Sequence, residues 1–142
     1  MKKIKNPENK CAHLKILNKD PNNKFEVMLK KQKELQDALG NSIDDLNDKQ
    51  KVQMFKEMLI CLMAENIEAL DRLPWKIWRN YDTYKLSKEE FLEFEFEICD
   101  CFFFFMNMLL IFKIDAKRLY NLYISKQKEN LDRIKRGYSK GK

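Results

Sequence analysis

Two short acidic repeats lie inside apolar runs of the chain: Glu65-x-x-Glu68 in LMAENIEALDRL and Glu97-x-x-Asp100 in FEFEICDCFFFF. On an α-helix, residues three apart project from one face about a turn apart, so each repeat presents two carboxylates side by side. An unpaired anion is expensive to bury. Four carboxylates facing one another among apolar side chains need positive charge between them, and a hard divalent cation with oxygen ligands supplies it. A lone pair of this spacing is ordinarily the solvated face of a charged helix. Here Ile98, Phe102 and Phe105 sit near the Glu97/Asp100 face, and a helix apolar all round is usually buried.

A chain of 142 residues is one domain by length, large enough to bury a core unaided. Hydrophobic residues at 44%, charged residues at 35% and only three Gly and three Pro suit helices with strongly polar outer faces. The net charge of +6 implies affinity for anions, whether nucleotide, nucleic acid or phospholipid, but it gathers at the ends, in MKKIK and KRGYSKGK. Cys11, Cys61, Cys99 and Cys101 form no CxxC pair, so reduced thiols of a cytosolic protein are expected rather than a disulfide framework. The N-terminus has no apolar leader segment. The run Phe102 to Phe112, interrupted by Asn107, is too short to span a bilayer and reads as a buried core helix.

Residues 1–23, rich in Lys and Asn, read as an extended arm. The pattern FEVMLKKQKELQDAL places Val27, Met28, Leu35 and Leu39 at roughly helical spacing, with Gly40 as a stop. A polar connection, NSIDDLNDKQ, leads to a long helix from Val52 to about Arg72, just before Pro74. The stretch PWKIWRNYDTYKL is aromatic and basic and reads as a loop or a short helical turn. Ser87 and Glu90 form a capping-box signature, opening a helix that ends near Lys113. Asp115 caps a last helix that stops at Gly137. The expectation is all-α: a bundle of four to five helices over 24–138, followed by a basic tail, 139–142.

Several chemistries are excluded by the residues at hand. A di-iron bundle needs Glu-x-x-His on two helices, yet the one histidine is His13, in the arm. Zinc catalysis lacks ligands for the same reason, and no nucleophile relay has its base. All-oxygen ligation is left, favouring Mg²⁺, with Mn²⁺ as the second choice. Because Mg²⁺ commonly shares its shell with substrate phosphates, Lys126, Asn130 and Arg133 matter. Spaced four and three apart, they fall on one face of the last helix. Trp75 and Trp78 are either core or a stacking surface for a base.

Together these residues resemble the all-α NTP pyrophosphatase superfamily, and within it the dimeric dUTPases and the tailed-phage dCTP/dUTP pyrophosphatases. The family signature, ExxE then ExxD, is reproduced by Glu65/Glu68 and Glu97/Asp100. Trp75-Lys76-Ile77-Trp78 is similar to the WKxW element that follows the first acidic pair. Tyr123, Lys126, Asn130, Arg133, Gly137 and Tyr138 resemble the closing run, and Gln32 matches a glutamine that contacts the pyrimidine in this family. Gln36 stands where dimeric dUTPases usually carry Asn. That variant is similar to the phage enzymes, as is the segment Phe103 to Asn107. Phe103 replaces the family's histidine, and Gln127 and Ile134 stand where Asn and Gln are common.

The resemblance implies metal-assisted hydrolysis at the α-phosphorus of dCTP or dUTP, giving the monophosphate and pyrophosphate. It implies Glu65 as the residue that positions or deprotonates the water, and Glu65, Glu68, Glu97 and Asp100 as metal ligands. It further implies base and sugar contacts from Gln32, Gln36, Trp75, Lys76, Trp78 and Asn107, and phosphate contacts from Lys126, Asn130, Arg133 and Tyr138. Gln32 and Gln36 can each present a donor or an acceptor, so the base stays open between cytosine and uracil. A homodimer joined through helices is expected, with no membrane and no stable nucleic-acid partner, in a bacterial or phage-infected cytosol. Two alternatives remain: a broad house-cleaning NTP pyrophosphohydrolase, and a non-enzymatic helical module binding nucleic acid through its basic ends.

Overall fold

The computed structural model describes residues 22–137. Most of the expected arm, with Cys11 and His13, and the expected contact Tyr138 with the basic tail lie outside the described residues. Four helices follow in order: α1 (Lys24–Ala38), α2 (Asp48–Asp71), α3 (Lys88–Ile111) and α4 (Ala116–Lys135), with no strand among the described residues.

The helix ends follow from local chemistry. Gly40, at φ +79°, takes the left-handed turn that ends α1, and the Asn41 N–H closes back on the Gln36 carbonyl at 2.9 Å. α2 starts earlier than Val52. Asn47 accepts from the Gln50 N–H while the Gln50 side chain accepts from the Asn47 N–H, a reciprocal box that draws Asp48–Lys51 out of the connection and into the helix. Ser87 and Glu90 form the same box at α3, as their spacing predicts. Asp115 caps α4 by accepting from the Arg118 N–H at 2.7 Å, and Gly137, at φ +82°, follows its end. The segment between α2 and α3 is loop and turn.

α2 and α3 pack antiparallel along most of their length. The far end of α2 meets the start of α3 through Arg72 and Glu93, while Phe55, near the start of α2, meets Phe112 edge-on at 5.6 Å beyond the end of α3. α1 lies across α3, where Leu29, Met106 and Leu109 form the core, ringed by Phe25, Phe102, Phe105, Leu110 and Ile114. Full burial of side chains such as Met106 and Ile111 stabilises the fold by about 1.5–3 kcal/mol each. The Phe102–Phe112 run supplies much of the core through Met106, Leu109 and Ile111, while its Phe103 and Phe112 remain exposed.

Further apolar surface is exposed on α2 and α4. Ile60, Met63 and Ile67 make an exposed stripe on α2. α4 approaches α1 alone among the helices, and only its first turn, Ala116 and Leu119, reaches the core. Residues 120–131 of α4 are exposed on every side, Leu122, Tyr123 and Leu131 included. No helix of the described residues is long and apolar enough to cross a membrane.

Candidate active site

The antiparallel pairing of α2 and α3 brings the two acidic repeats together. Carboxylate oxygens of Glu65 and Glu68, from α2, and of Glu97, from α3, lie within 4.8 Å of one another. Their burial is graded: Glu68 is exposed, Glu65 half-buried, and Glu97 only 1% exposed. Three hard oxygen donors at this spacing fit a divalent cation such as Mg²⁺, whose preference is for carboxylate oxygens with part of its shell left to water or phosphate. Asp100 follows Glu97 by one turn of α3, half-buried, beside this trio rather than within it.

Part of the positive charge that these anions require comes from the protein. Arg72, which caps the C-terminus of α2, donates from Nη1 to Glu93 Oε2 at 2.6 Å and from Nη2 to Glu97 Oε1 at 2.7 Å. The negative field also reaches the neighbouring thiols. Burial first, and then the Glu65 carboxylate, push the Cys101 thiol up from its ordinary range; burial and then Asp100 do the same for Cys99. Cys61, Cys99 and Cys101 are all free thiols.

About two turns beyond Asp100 on α3 lies a polar seam in the core. Gln32, Gln36 and Asn107 are buried. Gln32 donates from Nε2 to Asn107 Oδ1 at 2.8 Å, and Asn107 Nδ2 points at Met58 Sδ at 3.4 Å. Gln36 accepts from Asn41 Nδ2 at 2.9 Å through Oε1. These contacts orient both amides: the amino group of Gln32 faces Asn107 in the core, and the carbonyl of Gln36 faces the exposed Asn41 just past the end of α1. The fold thus gathers Gln32 and Asn107, 75 positions apart, into one contact.

The aromatic element follows α2 directly. The Trp75 indole N–H donates to Asp71 Oδ1 at 2.9 Å, Trp78 meets Trp75 edge-on at 6.0 Å, and Lys76 Nζ stands 6.0 Å from the Trp75 ring centre. Trp78 is 71% exposed, so it is a surface group in the single chain and not core. Lys126, Asn130 and Arg133 are not brought to the carboxylates within one chain, because α4 packs on neither α2 nor α3. Lys126 and Arg133 both pair with Glu129 on their own helix.

Five participants escaped the sequence reading: Arg72 and Glu93 at the carboxylates, Asp71 under Trp75, Asn41 on Gln36, and Met58 against Asn107. Glu93 and Glu97 stand four apart on one helical face, a spacing visible in the chain. Nothing in the chain pairs that face with Arg72, which is 21 residues from Glu93 and 25 from Glu97.

Comparison with known proteins gives a consistent picture. The dUTPase family matches residues 24–118, which takes in α1, α2, α3 and the start of α4. The dCTP pyrophosphatase of Enterobacteria phage T4 is 29% identical over 146 aligned positions, covering 84% of each chain. The dCTP pyrophosphatase of Enterobacteria phage LZ5 is 38% identical over 71 residues, which is 45% of this chain and 41% of that protein's length. No solved structure matches significantly.

Proposed function

This chain belongs to the dUTPase family, and from that membership we propose that it is a Mg²⁺-dependent pyrophosphohydrolase of dCTP, dUTP or both. The observation that carries the reading is the convergence of Glu65, Glu68 and Glu97 from two antiparallel helices within 4.8 Å. The two phage relatives bear the name dCTP pyrophosphatase, which puts dCTP first among the substrates to test.

In the proposed reaction a water oxygen bonds to the α-phosphorus and the bond from that phosphorus to the bridging oxygen of the β-phosphate breaks. The products are the deoxynucleoside monophosphate and pyrophosphate. When bound, Mg²⁺ supplies Lewis-acid polarisation of the phosphate oxygens. Glu68, Glu97 and Asp100 are assigned to hold it, with Mn²⁺ as a substitute. Glu65, also a ligand, is assigned to orient the water and take its proton, its half-buried carboxylate giving it access to both core and solvent. Gln32, Gln36 and Asn107 are assigned to the base and sugar. Trp75 and Trp78, exposed beside the acidic end of α2, and the half-buried Lys76 between them are assigned to stacking and charge.

The proposed working form is a homodimer in the cytosol. It would cover the α2 stripe of Ile60, Met63 and Ile67, and give the exposed α4 with its Lys126, Asn130 and Arg133 a surface to lie on. The decisive assay is pyrophosphate release from each deoxynucleoside triphosphate, with and without Mg²⁺. Mg²⁺-dependent turnover restricted to dCTP and dUTP supports the proposal. A broad profile without pyrimidine preference supports house-cleaning instead. No turnover of any nucleotide removes the enzymatic reading.

A further inference from the structure

The carboxylate trio leans on a residue outside the acidic repeats. Arg72 ends α2 at the point where the chain turns away toward Pro74. Its fork does not grip one carboxylate with both arms. One arm reaches Glu93 and the other reaches Glu97, at 2.6 and 2.7 Å, on two residues that share a face of α3. Five carboxylates gather in this region: Glu65, Glu68, Glu93, Glu97 and Asp100. Glu97 is the one almost wholly removed from water, and an anion so placed needs an adjacent cation.

We propose that Arg72 is a positioning residue for the cation site: by holding Glu97 from one side it keeps that carboxylate aimed at Glu65 and Glu68. The inference rests on the cation-site reading given above. The contact with Arg72 engages one oxygen of Glu97, Oε1, so the clamp sets the direction in which that carboxylate points. Glu93 is the outer anchor, fixing the guanidinium so that it does not swing into the space between the three ligands. Arginine suits this task better than lysine, because its planar fork donates in two fixed directions and stays charged when buried. Partners that orient metal ligands commonly govern affinity although they never touch the ion.

Mn²⁺ serves as the probe, with free ion counted by electron paramagnetic resonance in titrations of the full chain. Arg72→Met should weaken binding on the order of ten- to a hundredfold. Arg72→Lys, which keeps the charge but loses the fork, should fall between it and the parent. Glu93→Gln should weaken binding by less than Arg72→Met, since the inner contact survives. Melting temperatures taken with and without saturating Mn²⁺ separate positioning from simple support: the stabilisation gained from Mn²⁺ should shrink in Arg72→Met. Equal losses of melting temperature in both conditions, with unchanged affinity, would overturn the proposal. So would tighter binding, which would make Arg72 a competitor of the cation. If Arg72→Met does not fold, Arg72→Lys decides, and an unchanged affinity there overturns the proposal. Failure of the parent chain to take Mn²⁺ sinks the cation-site reading itself, whereas binding by the parent with no loss in the variants sinks only the role of Arg72.

Discussion

Gln32 on α1 donates its side-chain amide to Asn107 on α3 across 2.8 Å of core from which water is almost excluded. Both residues are buried, and the pair ties α1 to α3 beside the apolar core of Leu29, Met106 and Leu109. Removing one partner leaves a buried amide without its mate, which costs about 1–3 kcal/mol, whereas removing both is close to neutral. Gln32→Leu and Asn107→Leu should therefore each destabilise by roughly that amount, and the double substitution should recover a large part of the loss. Urea unfolding of the four proteins in the cycle checks it; strictly additive losses would show that the two side chains do not act as a pair.

Glu65 and Glu97 should separate in their consequences although both belong to the proposed cation site. Glu97 is buried and tied to Arg72, while Glu65 is half-buried. Glu97→Ala should lose both turnover and stability, the latter by about 1–3 kcal/mol, because it removes a charged hydrogen bond in a partly buried pair while Glu93 keeps Arg72 partnered. Glu65→Ala should lose turnover by more than about a hundredfold, beyond the upper range for residues that merely support a ligand, with helical circular dichroism and melting temperature little changed. Equal effects of both changes on stability would contradict the graded burial from which this difference is argued.

How much of this was legible in the chain depends on the range of the interaction. Helix ends set by a few neighbouring residues were readable: Ser87 with Glu90, Asp115, Gly40 and Gly137 all act where their spacing places them. The start of α2 escaped notice because Asn47 and Gln50 lie in a stretch otherwise polar, with no apolar periodicity to mark the helix. The two acidic repeats were legible because each lies within one helix. What faces them was not. Arg72 reaches Glu97 only because the loop after Pro74 reverses the chain and sets α3 antiparallel to α2, and no local pattern encodes that register. The same holds for α4, whose cationic face was expected at the carboxylates and lies away from them within one chain.

Stability should fall on the acid side through the start of α3. In the folded chain the Ser87 backbone N–H, and then its side chain, hold the Glu90 carboxyl below its ordinary value of 4.5. A depressed carboxyl contributes stability that is present above the unfolded value and lost as the pH falls through the folded one. The capping box should therefore be intact at pH 7 and fade below about 4.5. Ser87→Ala should lower stability at pH 7 by about 1 kcal/mol, the usual worth of a hydroxyl cap. Glu90→Gln should flatten the acid limb of the melting curve relative to the parent. Melting temperatures at pH 3.5–7.5, recorded by circular dichroism, provide the comparison, and parallel curves for parent and Glu90→Gln would show that Glu90 is not a contributor.

The proposed homodimer gives the most consequential prediction, since one chain does not bring its cationic helix face to its carboxylates. Ile60, Met63 and Ile67 stand at intervals of three and four on α2, each more than half exposed, on the helix that carries Glu65 and Glu68. A monomer would leave this stripe and the apolar side chains of α4 in water, at a cost of roughly 25 cal/mol for each Å² that association would otherwise cover. Sedimentation at micromolar concentration should report about twice the 17.2 kDa mass of the chain. The double substitution Met63→Lys and Ile67→Lys should halve it, because two buried ammonium groups in an apolar contact have no partner. If α4 of the partner completes the phosphate-binding half of the site, dissociation should also raise KM for the nucleotide while leaving Mn²⁺ binding at the trio within a few-fold of the parent. A monomeric parent with full activity would confine the site to residues of α1, α2 and α3, and would leave Lys126, Asn130 and Arg133 as a solvated helix face.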